Sequence, residues 1–131
     1  MKIIIITLIV LSMAIPMTLM AGDKEEIIEQ IMKGNAYMNK NKKTMQEYST
    51  KGALEFWSSG GLIHEISSSG RPDYYDSVNM KVKHIEVIVL VPGKAAVAMY
   101  YSEGSMKPKG SPKVSHYMTR VTQAYVKEGD G

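Results

Sequence analysis

The sequence predicts an α+β fold, an antiparallel meander with helices packed on one face. Three observations carry this: a capped amphipathic segment from Asp23, a hairpin pattern centred on Pro92-Gly93, and an uninterrupted β-favouring run from Val114 to Val126. The chain has 131 residues, 44% hydrophobic and 22% charged, which suits one domain preceded by a leader. A formal net charge of +3 spread over scattered lysines lacks the interleaved aromatics of a base-stacking surface, so nucleic acid is excluded as a partner. With no cysteine there are no disulfides and no thiolate metal sites.

Taken in order, Met1-Lys2 followed by the apolar run Ile3–Leu11 and a break at Pro16 has the layout of a signal peptide over residues 1–22, with cleavage after Ala21 or Gly22. Residues 23–131 then form a secreted or periplasmic domain. The rival reading is a retained anchor helix, the only membrane contact the sequence offers. Asp23 with Glu26 three residues on makes a capping box, placing Asp23 at the N-cap. Ile27, Ile28, Ile31, Met32 and Met38 supply the apolar stripe of the helix that follows. Thr44 to Tyr48 reads as a short second helix.

Ala53–Trp57 and Leu62–Ile66 are short strands around the Ser58-Ser59-Gly60-Gly61 break, and Ser67–Val78 reads as a surface loop or lid. From Val82 the alternation is clear: Ile85, Val87, Val89 and Val91 against His84, Glu86, Ile88 and Leu90, with a return strand from Ala95 to Ser105. Two prolines keep Met106–Lys113 out of the sheet as a linker. Val114–Val126 is then the long central strand of a meander. The closing Gly129-Asp130-Gly131 is a turn, so the sequence reads as a fragment lacking its final strand.

Each of the last three strands carries polar residues on one of its faces: His84 and Glu86, Tyr101 and Glu103, His116 and Arg120. If register joins these faces they form one cluster, with His116 as a general base and Arg120 holding an anionic or carbonyl substrate. These are the catalytic candidates; Trp57, His64, Tyr101 and Glu103 are the ligand-lining ones. The alternative places the same cluster on a solvent or dimer face as cross-strand pairs. The spacing of the three histidines matches no metal motif, and there is no phosphate loop or dinucleotide glycine pattern, so no metal and no cofactor is expected.

The leading helices, Phe56-Trp57-Ser58-Ser59-Gly60-Gly61-Leu62, the Val-Pro-Gly hairpin and the His116–Thr122 to Tyr125–Glu128 segment together resemble the nuclear transport factor 2-like superfamily, and within it the SnoaL-like and ketosteroid-isomerase-like branch of small exported domains. The resemblance implies a cone, a bent antiparallel sheet wrapped around the N-terminal helices, with a pocket at its open end. In that family the last strand typically begins with a Trp just after the turn where this sequence stops. The fold hosts isomerases, dehydratases, hydrolases, binders and oligomerising domains, and no family site matches these residues closely enough to carry a catalytic role across. Three functions follow as expectations: a binder of a small hydrophobic or carbonyl-containing ligand, a cofactor-free lyase or isomerase, or a homodimer-forming structural module.

Overall fold

The computed structural model describes residues 22–45, 52–56, 64–66 and 74–129, with the backbone alone at 64–66. The architecture is α+β, with a helix α1 (Asp23–Asn41), a two-stranded antiparallel pair β1 (Ala53–Glu55) and β2 (His64–Ile66), and a three-stranded antiparallel sheet of β3 (Tyr75–Val91), β4 (Ala95–Pro108) and β5 (Val114–Val126). The expected leader, apart from Gly22, lies outside the described residues, as does most of the expected second helix. Among the described residues no helix is long and apolar enough to cross a membrane.

α1 starts where the acidic first turn of Asp23, Glu25 and Glu26 predicts, but Gly22 takes the N-cap and no side chain caps the helix. The carboxylate of Asp23 is used elsewhere: its Oδ2 accepts a hydrogen bond from Gly93 N–H at 2.6 Å, tying the helix to the β3–β4 turn. Ile27, Ile28 and Ile31 face the sheet as expected, whereas Met32 is half exposed and leaves the stripe. The core joins Ile31 to Val87, Ala96 and Ala98, with Val82, Ile85, Tyr100 and Tyr125 packed around it. Small Ala96 and Ala98 let the helix approach closely, and burying a side chain such as Ile31 contributes about 2 kcal/mol.

The other end of α1 is fastened through amides. Asn39 pairs with the backbone of Met80 in both directions, Nδ2 donating to the carbonyl at 2.8 Å and Oδ1 accepting from the N–H at 2.9 Å. Asn35 Nδ2 donates to the same carbonyl, and its own buried Oδ1 has no partner among the described residues. The carboxamide of Asn39 thus does for β3 what a neighbouring strand would do. Just beyond, the left-handed Lys42 closes the helix and its carbonyl accepts from Tyr75 N–H.

These two fastenings dictate the shape of β3. The helix spans roughly 29 Å from Asp23 to Lys42, while extended chain from Tyr75 to Gly93 would span roughly 59 Å. Both ends meet only if β3 curves around the helix, concave towards it. Register shifts between Tyr75 and Ser77, Lys83 and Glu86, and Val89 and Val91 provide the bends. At the middle one an extra residue enters β3 and His84 adopts φ 53°. The inward phase consequently jumps from Val78, Met80 and Val82 to Ile85, Val87 and Val89.

Three sequence expectations are corrected. Tyr75–Val78 belongs to β3 and is no part of a loop or lid. Met106–Pro108 continues β4, pairing with Val78, Ser77 and Tyr75; Pro108 is tolerated because it ends the strand and Lys109 N–H makes the last bond, to Tyr74 O. β5 has the predicted bounds, but β4 is the central strand and β5 has one neighbour among the described residues.

Candidate functional site

Cross-strand register assigns the paired residues of the large sheet to a face. Val82, Ser102 and Thr119 form one row towards the helix, as do Val87, Ala98 and Gln123; Lys81, Glu103 and Met118, and Lys83, Tyr101 and Arg120, form rows on the opposite, convex side. Lys81, Lys83, Tyr101, Glu103 and Arg120 therefore share the convex face, whereas the Glu86 carboxylate reaches Lys24 of the helix at 4.0 Å. Lys83 forms an ion pair with Glu103, diagonally across the ladder. His84 meets Tyr101 edge-on, ring centroids 6.0 Å apart. Among the described residues, the side chains of His116 and Arg120 make no hydrogen bond or ion pair, so the carboxylate that would poise His116 as a base is not supplied.

Two backbone irregularities open a recess of about 500 Å³ on this face. Between Gly104 and Met106 the register slips so that Ser115 and His116 oppose the single residue Ser105, a bulge that spreads the strands. Beside it Gly104 has φ 151°, and a Cβ there would collide with Asn79 O, so the backbones of β3 and β4 approach only because position 104 is glycine. Asn79 and Lys81 of β3, Glu103 to Ser105 of β4 and Ser115 to Met118 of β5 line the recess.

Of the expected site residues, His116 and Glu103 line this recess. Tyr101 and Arg120 are paired one row further along, and Trp57 and the side chain of His64 lie outside the described residues. Asn79, Lys81, Ser105 and Ser115 were not anticipated. Asn79 was hidden because position 79 follows a stretch read as loop, and Lys81 because the bulge after Lys83 breaks simple alternation with Glu86.

The concave side holds a second polar group. Tyr100 and Tyr125 both donate to Gln123 Oε1, at 2.9 and 2.7 Å. Burial pushes both phenols up, Tyr125 to about 12, so both stay protonated donors across the physiological range. Elsewhere the hydrogen bond from Lys107 holds the Asp76 carboxyl below its ordinary value.

No family model, curated protein or solved structure matches this chain. The functional reading therefore rests on the geometry of these residues.

Proposed function

We propose that this chain is an exported small-molecule-binding domain of nuclear transport factor 2-like, SnoaL-like type, with no catalysis assigned. What supports the binding reading is the recess of about 500 Å³ that contains His116 and Glu103, which lies on the convex face and not in the hollow of a cone, and whose volume is in the range of small-ligand sites. The architecture of one helix held within a curved antiparallel sheet is compatible with a cone, and the export reading rests on the Met1–Gly22 pattern. A lyase or isomerase using His116 and Arg120 is the weaker reading, since neither has a carboxylate partner among the described residues.

The test is a thermal-shift screen of the full chain against small carbonyl compounds and carboxylates, repeated with His116→Ala and Arg120→Ala. Hits should stabilise by mass action, with the shift reduced by His116→Ala and little affected by Arg120→Ala. Stabilising hits indifferent to both changes would remove the recess from the site.

A specific observation also favours a homodimer. Ile88, Val97 and Ala124 form an apolar row on the convex face, continued by exposed Leu90, Met99 and Val126. A second copy stacked there would cover the apolar half of the face and leave the polar half, with its recess, at the rim.

A further inference from the structure

The charge inside the recess is unevenly committed. Lys81 faces Glu103 across β3 and β4, yet the Glu103 carboxylate is already paired with Lys83. Among the described residues the side chains of Lys81 and His116 make no ion pair and no hydrogen bond, and Arg120, two rows from His116 along β5, is likewise uncommitted. An entering group therefore meets an ammonium, an imidazole, the Asn79 carboxamide and the hydroxyls of Ser105 and Ser115. All of these can donate, and the single carboxylate is engaged. At the same rim Met118 is 69% exposed among the described residues and offers an apolar surface.

Donors with a surplus cation beside an apolar wall fit an anion that carries a hydrophobic body. We propose that the recess is a site for a small monocarboxylate of this kind, its carboxylate held by Lys81 and His116 and its body laid against Met118. The inference rests on the small-molecule reading above and sharpens it to one ligand class. Charge-assisted hydrogen bonds favour the carboxylate over a ketone of equal length, while the open rim limits the preference to what a partly solvated charge pair supplies. Inorganic phosphate meets the same donors but has nothing to place on Met118.

The probes are octanoate, 2-nonanone and inorganic phosphate, titrated into the full chain by calorimetry. Octanoate should bind saturably and about fivefold or more tighter than 2-nonanone or phosphate. Lys81→Gln should weaken octanoate about fivefold and leave 2-nonanone unchanged, whereas Met118→Ser should weaken both. Both positions are exposed, so melting temperatures close to the parent's confirm that the fold is kept. Equal affinity for octanoate and 2-nonanone would overturn the carboxylate assignment and leave the small-molecule reading standing. Phosphate binding as tightly as octanoate, with Met118→Ser silent, overturns the hydrophobic body. If no probe binds saturably, the carboxylate assignment falls, and the wider thermal-shift screen decides the small-molecule reading separately.

Discussion

Val87 and Ile88 are neighbours in β3, similar in chemistry, yet Val87 is 8% exposed and Ile88 52%. The difference is the helix, which covers one face of the sheet and leaves the other open. On the covered face the central strand carries alanines, Ala96 and Ala98, because a helix lying in the hollow of a curved sheet leaves room for little else. On the convex face the side chains fan apart, and Met99, Tyr101 and Met118 stand among lysines and Arg120. The covered face specifies the fold, and the open face is where anything outside the domain must act.

The sharpest way to break this contrast is at Gly104, where both faces depend on one backbone approach. Gly104→Ala puts a methyl group against Asn79 O and should cost about 4 kcal/mol in urea denaturation, with loss of ligand binding in parallel. A change under about 1 kcal/mol would mean that β3 and β4 can separate there without consequence.

A smaller effect tests the covered side by pH. Tyr100 and Tyr125 have raised phenol values, so folding favours their protonated forms. Their contribution is complete below the ordinary phenol value of 10.0; that of Tyr125 is lost as pH rises through about 12, and that of Tyr100, raised further by burial, at higher pH still. Allowing for their partial solvation, stability should fall by about 1 kcal/mol over that window. In the double variant Tyr100→Phe/Tyr125→Phe that alkaline decline should shrink; a decline of unchanged size would assign it to other groups.

The smallest expected change is on the open side. Ile88→Ser should alter monomer stability by no more than about 0.5 kcal/mol, measured by chemical denaturation at low protein concentration. A larger loss that grows with protein concentration would show the convex face to be covered by a second copy.

Much of this was legible in the residues. Val114–Val126 reads as a strand because thirteen residues run without Gly or Pro, and β5 has those bounds. The Pro92-Gly93 turn and the start of the helix were equally plain. Register was not. A bulge centred on His84 carries no glycine to announce it, and its trace is the phase jump from Val82 to Ile85, which looks like noise until the partner strand is known. The polar cluster could thus be assembled strand by strand, while its face could not, because only the helix distinguishes inside from outside. Ser115 and His116 sharing one partner is likewise a property of two strands and leaves no mark on either alone.

The helix and β3 are fastened at both ends and differ about twofold in contour length. Mechanically this is a bow: β3 is the stave, α1 the string, and the knots are Asp23 with Gly93 at one tip and Lys42 with Tyr75 at the other. A string carries tension, so a strand relaxing towards straightness pulls on the helix along its axis, the direction in which its ladder of hydrogen bonds resists stretching. Asn39 and Asn35, gripping Met80 partway along, act as a brace that divides the span. Cutting either knot would slacken the whole arc, and the spread strands at Ser115 and His116, borne on the outside of the curve, would feel that release although no atom near them had changed.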